Sequence, residues 1–156
     1  MTRSPGPLSA GLAILYGTLV VGALDAIDAL VFFGLRGVRP IRIAHSIAAG
    51  VLGRAAFQGG LETALLGLCL HYFIAFIIVS VFYLASRRVP ALTRHPVIAG
   101  VIYGIAVYFV MNDVVLPLSA AGRGPFVLPV FINGILIHAF GVGLPSAWFA
   151  SLARPR

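Results

Sequence analysis

Residues 8–35 read LSAGLAILYGTLVVGALDAIDALVFFGL, an apolar run whose only charged members are Asp25 and Asp28. A helix needs roughly 20 apolar residues to cross the hydrocarbon core of a bilayer. The run therefore predicts a membrane-spanning helix, and it is too long to be the core of a cleaved signal peptide. A carboxylate at bilayer depth costs about 2.5 kcal/mol or more on insertion scales and usually has a partner or a purpose. The two aspartates are therefore the first candidates for function.

Three further apolar runs cover residues 61–86, 96–117 and 126–152. Of the 156 residues, 60% are hydrophobic and 10% are charged, and the mean hydropathy is +1.05. A soluble domain carries about 25% charged residues, so this composition excludes one. The sequence predicts an all-α membrane protein, a single integral domain over residues 1–156 with four transmembrane helices.

The long connection between the first two runs predicts one more helix. Residues 39–60 read RPIRIAHSIAAGVLGRAAFQGG, with apolar side chains at intervals of four residues and with arginines and a histidine elsewhere around the helix. Pro40 favours a start and the Gly59-Gly60 pair favours an end. We therefore expect a short interfacial helix over residues 41–57, at the boundary of the lipid headgroups.

Four spans place both termini on the same side of the membrane. Six arginines lie on that side and five on the other, and the positive-inside bias counted near span ends favours cytoplasmic termini. The net charge of +7 and the pI near 10.8 come from arginines that flank the spans, so the expected partner is the bilayer and not nucleic acid. Self-association of the protein is a further expectation. The lone cysteine, Cys69, excludes an intrachain disulfide.

Polar residues of all four spans fall in one half of the bilayer. At about 1.5 Å per residue, Asp28 lies about 10 Å and Asp25 about 15 Å from the end of the first span, and His71 lies about 15 Å into the second. In the third span Asn112 and Asp113 lie about 6–8 Å deep, and in the fourth Asn133 and His138 lie about 10 and 18 Å deep. The candidate proton- or ion-binding residues are Asp25, Asp28, His71, Asn112, Asp113, Asn133 and His138.

Two chemical interpretations of these residues stay open. Asp25 and Asp28 are three residues apart and share a helical face, an arrangement that favours a proton on one carboxylate or a cation between the two. A histidine at matching depth can donate to such a carboxylate, titrate or bind a metal. The alternative is that the polar groups only hold helices together, as polar side chains in spans commonly do. Asp113, near a span end, also fits an interfacial position.

A haem is a less favoured alternative. His71 and His138 lie on separate spans, and paired imidazoles can hold haem iron. The four predicted spans contain no second histidine pair for a two-haem electron-transfer core, so no cofactor is the principal expectation. The sequence also has no phosphate-cradling loop, nucleophile elbow or metalloprotease helix, so we do not expect an enzyme.

Glycine and proline give two local predictions. Gly100 and Gly104 form a small-xxx-small pair, which predicts close packing of the third span. Pro145 removes a backbone donor inside the fourth span, which predicts a kink near Gly141.

Three stretches carry a resemblance: LDAIDALVFFGLRG (24–37), LASRRVPALTRHPVIAGVIYGIAVYFVMNDVVLPLSA (84–120) and INGILIHAFGVGLPSAW (132–148). Together they resemble a group of small, uncharacterised bacterial inner-membrane proteins with four spans, over nearly the whole chain. More remotely, the chain resembles the YagU-like inner-membrane proteins, although it lacks their longer inserted loop. The resemblance implies an inner-membrane location and supplies no site residue. The function expected from the residues is proton or cation handling by a small transporter or channel, with a non-catalytic scaffold or accessory subunit as the alternative.

Overall fold

The protein is built from helices. The computed structural model describes residues 8–153, and within this range it contains α1 (Ala10–Gly34), α2 (Pro40–Leu52), α3 (Leu61–Arg88), α4 (Ala91–Arg94), α5 (Pro96–Leu118) and α6 (Leu128–Ser151). Four of these, α1, α3, α5 and α6, are long and apolar enough to cross a membrane. The predicted all-α class with four such helices is confirmed.

The ends of the long helices follow from local chemistry. Ser9 caps α1, since its Oγ accepts a hydrogen bond from the Leu12 N–H at 3.3 Å. In α3, Glu62 lies in the first turn and two arginines lie in the last, which opposes the helix dipole at both ends. Helix α3 extends two residues beyond the predicted end at 86, and α6 begins two residues after the predicted start at 126.

Helix α2 differs from the single helix predicted over residues 41–57. It ends at Leu52, and residues Gly53–Gln58 form a separate 3-10 turn. The break lies at Gly53, whose φ of 60° belongs to a region that favours glycine. The four-residue apolar spacing of the sequence does not report this break, because it continues unchanged across Gly53.

Helix α2 is packed onto the bundle. A Cβ on Gly67 of α3 would lie 2.0 Å from the carbonyl oxygen of Ala44, so the two helices touch backbone to backbone at that point. The Gly50 carbonyl accepts a hydrogen bond from the Ala120 N–H, in the connection after α5, at 2.9 Å. Helix α2 thus joins α3 to the α5–α6 connection at one end of the bundle. Its place at the headgroup boundary stays a prediction.

The opposite end of the bundle holds the two ends of the described chain. The Leu8 N–H donates to the Leu152 carbonyl at 2.8 Å, which brings α1 and α6 side by side. Here a tightly packed cluster forms around small side chains, with Ala13, Phe82 and Ala147 at its centre, each no more than 1% exposed. Toward the middle of the bundle a second cluster follows, formed by Val21, Ala75, Val79, Val107 and Val142.

Close packing of α5 is confirmed at the predicted glycines. A Cβ on Gly104 would lie 1.9 Å from the His138 carbonyl oxygen, and one on Gly100 would lie 2.8 Å from the Gly143 carbonyl oxygen. Only glycine at these positions allows the backbones of α5 and α6 to approach so closely.

Both α5 and α6 contain a π-helical segment, Met111–Val115 in α5 and His138–Gly143 in α6. Each lies just before a proline, Pro117 or Pro145. A proline lacks an N–H and its ring crowds the carbonyl four residues earlier, so a widened turn at that place relieves the crowding. A π-helical turn therefore lies where the sequence predicts a kink, and the kink itself stays a prediction.

Candidate functional site

A cavity of about 490 Å³ lies in the half of the bundle that α2 covers. All four long helices and α2 contribute to its wall. Its volume falls within the roughly 300–1,000 Å³ typical of small-molecule sites. Six of the seven residues singled out from the sequence line it: Asp25, Asp28, His71, Asn112, Asn133 and His138. The sequence places these residues in one half of the bilayer, and in the fold they line one cavity.

Asp25 and His71 form a pair between α1 and α3. His71 Nε2 lies 2.8 Å from the Gly22 carbonyl oxygen, and its Nδ1 lies 3.8 Å from Asp25 Oδ2. A carbonyl oxygen only accepts, so the Nε2 atom must carry the hydrogen of that bond. In neutral His71 the lone pair is therefore on Nδ1 and faces the carboxylate. That distance is too long for a direct hydrogen bond and short enough for an ion pair.

Asp28 and Asn133 form a second pair, between α1 and α6. Asn133 Nδ2 donates to Asp28 Oδ2 at 2.7 Å. The amide is neutral, so it satisfies one oxygen of the carboxylate and leaves the charge of Asp28 uncompensated. The other oxygen, Oδ1, has no hydrogen-bond partner among the residues that the structure describes, so it can accept from a ligand.

His138 and Asn112 are each held by their own helix. His138 Nδ1 donates to the Gly134 carbonyl at 2.9 Å, and Asn112 Nδ2 donates to the Tyr108 carbonyl at 2.9 Å. The His138 Nε2 atom and the Asn112 Oδ1 atom are thereby left as acceptors. The Tyr108 ring contacts the His138 ring edge to face, with centroids 5.4 Å apart.

A second, much smaller cavity lies on the other side of the Asp25–His71 pair. It measures about 30 Å³ and is lined by these two residues together with apolar side chains of the mid-bundle cluster, including Val21 and Val142. A water molecule needs roughly 10–15 Å³ of such space, so the small cavity has room for one or two. Asp25 and His71 therefore stand between the large cavity and the packed middle of the bundle.

Asp113 is the one sequence candidate that the fold does not bring to the cavity. Its Oδ1 lies 2.7 Å from Arg123 Nη2, and both side chains are largely exposed, 42% for Asp113 and 64% for Arg123. One residue along a helix turns a side chain by about 100°, so Asp113 faces away from the wall that Asn112 lines. The interfacial alternative for Asp113 stays a prediction.

Three contributors to the site were not recognised in the sequence. Tyr108 lies four residues before Asn112 and so shares its face, a signal that was available. The carbonyl oxygens of Gly22 and Gly134 gave no signal, because a backbone acceptor has no side chain to mark it.

Neither a metal nor a haem gains support from the geometry. Within residues 8–153 no group of three or more histidine, cysteine, aspartate or glutamate side chains is gathered as a metal site requires. His71 and His138 each keep one ring nitrogen without a hydrogen bond, and haem ligation by them stays a prediction and the less favoured alternative.

No family model matches the sequence, no curated protein is significantly similar to it, and no solved structure significantly matches its fold.

Proposed function

We propose that the protein is a small proton-handling transport protein of the bacterial inner membrane, in which Asp25 and His71 share one transferable proton. The observation that carries the proposal is the position of His71, whose Nε2 faces the Gly22 carbonyl while its Nδ1 faces Asp25. Ionisable groups inside apolar helices are expensive to keep and commonly mark ion or proton pathways.

The proposed exchange involves two arrangements of the pair with the proton and one arrangement without it. With one proton, the pair is either an imidazolium beside a carboxylate or a neutral imidazole beside a carboxylic acid. Without that proton, the Nδ1 lone pair and the carboxylate charge face each other and repel. Releasing that proton leaves a carboxylate that attracts a cation.

The cavities give the proton a route on one side. Polar groups line the large cavity as far as Asp25 and His71. Beyond this pair, the small cavity has room for water. Past that point the bundle is closed by three valines that are each no more than 2% exposed: Val21, Val79 and Val142. A conformation that opens this apolar barrier would expose the pair to the other side, as alternating access requires.

The test is proton movement into sealed vesicles. Purified protein is reconstituted with a trapped pH-sensitive dye, and a pH step is applied outside. We expect faster equilibration than in empty vesicles, and we expect Asp25→Asn to abolish the gain, because the amide keeps the shape and cannot exchange a proton. Asp113→Asn is the matched control, since it removes a carboxylate outside the cavity, and it should behave like the parent protein. Equal rates for the parent protein, Asp25→Asn and empty vesicles would refute the proposal.

The orientation is part of the proposal: both termini are cytoplasmic and the α5–α6 connection is outside. Fusions of a reporter that works only in the periplasm are expected to be inactive at Arg156 and active at Arg123. The reverse result would invert the orientation, and equal results at both sites would remove one crossing.

A scaffold or accessory subunit is the second candidate, and the Asp28–Asn133 hydrogen bond favours it. A bond of 2.7 Å between α1 and α6 is the kind of contact that holds helices together without further function. If the scaffold interpretation is right, Asp25→Asn and Asp28→Asn will lower thermal stability and change no flux in vesicles.

A further inference from the structure

The polar atoms that face the large cavity are mostly acceptors. Ser46 donates its hydroxyl hydrogen to the Ile43 carbonyl at 2.6 Å, and Ser119 donates its own to the Leu116 carbonyl at 2.8 Å, so both oxygens can only accept. The Ser119 oxygen already accepts from the Ala121 N–H at 3.2 Å, which leaves it one further lone pair. His138 donates its Nδ1 hydrogen to the Gly134 carbonyl, and its Nε2 lone pair can accept a hydrogen bond. Asn112 and Asn133 each use one N–H and offer a carbonyl oxygen.

The carboxylates add further acceptors and negative charge. Asp25 and Asp28 line the cavity, and no arginine is among the described residues that do so. The remaining donors are few: the Tyr108 hydroxyl and the second N–H of each asparagine. A ligand that fits this wall must bring hydrogen-bond donors and positive charge, while an anion would meet two carboxylates.

The rest of the wall is apolar. Side chains of Leu30, Phe33, Ile43, Ile47 and Ile137 form much of it, at the level of α2 and the adjoining turns of α1 and α6. A metal ion with its hydration shell gains nothing from such a surface, whereas a hydrocarbon group is stabilised there. The aromatic side chains of Phe33 and Tyr108 also line the cavity, and aromatic rings can attract an organic cation.

We infer that the cavity binds an amphipathic ammonium ion, with its N–H donors between Asp25 and Asp28 and its apolar body against the wall near α2. The inference rests on the proposed function and deepens it. The ammonium ion and the transferable proton compete for Asp25, so the arrangement suits exchange of a proton for an organic amine.

This competition sets a direction for the pH dependence. The titratable groups that face the cavity are Asp25, Asp28, His71, Tyr108 and His138. Acidification adds protons to the carboxylates and imidazoles among them and removes negative charge from the wall. Binding of a permanently charged amine should therefore weaken as the pH falls, provided that the probe keeps its own charge throughout.

The experiment compares three probes of similar body on the purified, detergent-solubilised full chain by isothermal titration calorimetry. Benzylammonium has charge and N–H donors, benzyltrimethylammonium has charge alone, and benzyl alcohol has no charge. We expect affinity to fall in that order. Loss of charge-assisted hydrogen bonds in Asp25→Asn or Asp28→Asn should weaken benzylammonium binding by about tenfold or more. Asp113→Asn should leave it unchanged.

A steric variant tests the same cavity without altering charge. Ile47→Trp on α2 should fill the space and remove benzylammonium binding, while Leu65→Trp, on an exposed face of α3, should not. Asp28 also accepts a hydrogen bond from Asn133, so Asp28→Asn could fail to fold. Asp25→Asn and Ile47→Trp leave that hydrogen bond intact and test the inference in that case.

The outcomes separate this inference from the proposed function. Proton movement that needs Asp25, without benzylammonium binding, would overturn the inference and leave the proposed function standing. Amine binding without proton movement would do the opposite. Equal binding of benzyl alcohol, or equal weakening by Asp113→Asn, would show general partition into detergent and would also overturn the inference.

Discussion

The two halves of the bundle use the same four long helices and pack them differently. Around the chain ends, small side chains let the helices close on Phe82, with Ala13 and Ala147 almost fully buried. At the other end, polar side chains such as Asp28 and His71 and the added helix α2 surround an open space of about 490 Å³. Close packing and the proposed binding thus fall in separate halves, so changes to each should have separable effects.

The border between the halves runs through the close contact between α5 and α6 at Gly104. Gly104 of α5 meets the π-helical segment of α6 at His138, whose side chain lines the cavity while its carbonyl oxygen touches the glycine. A change on the packed side of that contact can therefore reach the cavity through one residue.

The largest expected effect on stability comes from the packed half. Phe82→Ala should lower the free energy of unfolding by about 3 kcal/mol, the lower end for a buried phenylalanine, because unfolded helices keep their contact with lipid or detergent. Phe33→Ala, in the cavity wall, should cost clearly less. Unfolding by a denaturing detergent, followed by circular dichroism, measures both. Equal losses would break the comparison between the halves.

The next effect is expected at the border. Gly104→Ala places a methyl group against the backbone of α6 and should cost about 1–3 kcal/mol, the usual range for overpacking. Gly50→Ala in α2 is the matched control, since nothing lies within 4 Å of the added methyl group. Alanine favours a helix over glycine, so this control should leave thermal stability unchanged or raise it. A tolerated Gly104→Ala would show that the helices separate freely there.

A smaller effect is expected for the hydrogen bond across the cavity. Asn133→Ala removes the donor to Asp28 and should cost about 0.6–1.7 kcal/mol, as measured for hydrogen bonds between membrane helices. Asn112→Ala is the control, because its amide bonds only to its own helix and joins no two helices. If the two variants lose equal stability in the same unfolding assay, the Asp28–Asn133 bond is not what holds α1 to α6.

The smallest effect is expected at the exposed ion pair. Arg123→Ala and Asp113→Asn should each cost about 0–1 kcal/mol, and a double-mutant cycle should give a coupling that fades with added salt. The Asp28–Asn133 coupling should resist salt, because that pair is partly buried and one partner is neutral. A salt-resistant coupling at Asp113 would place that residue in a more sheltered site than its exposure indicates.

The sequence was sufficient for much of the fold because its signals were strong. Long apolar runs separated by arginines predict the four long helices, and a rise of about 1.5 Å per residue gives the depth of each polar side chain. Depth carries no information on rotation about the helix axis. Asn112 and Asp113 therefore have nearly the same predicted depth, while in the fold Asn112 lines the cavity and Asp113 does not.

Other features depend on contacts that no local pattern encodes. The break at Gly53 follows from its positive φ, and the attachment of α2 to α3 follows from the space that Gly67 leaves for the Ala44 backbone. The identity of the neighbour that faces each polar group is likewise a result of the whole bundle. The Asp28–Asn133 pair joins residues on the first and last long helices, and spacing along the chain cannot predict it.

The carbonyl groups that orient both cavity histidines have an evolutionary consequence. Every amino acid has a backbone carbonyl, so no point substitution at Gly22 or Gly134 can delete the acceptor that fixes the imidazole. Drift at these two sites is limited instead by room, since an added Cβ would press on the ring of Tyr72 or Tyr108. Mutation of Gly22 or Gly134 therefore cannot move the hydrogen to the other nitrogen of the imidazole by removing its acceptor. The most direct way to lose this arrangement in evolution is to replace the histidine itself.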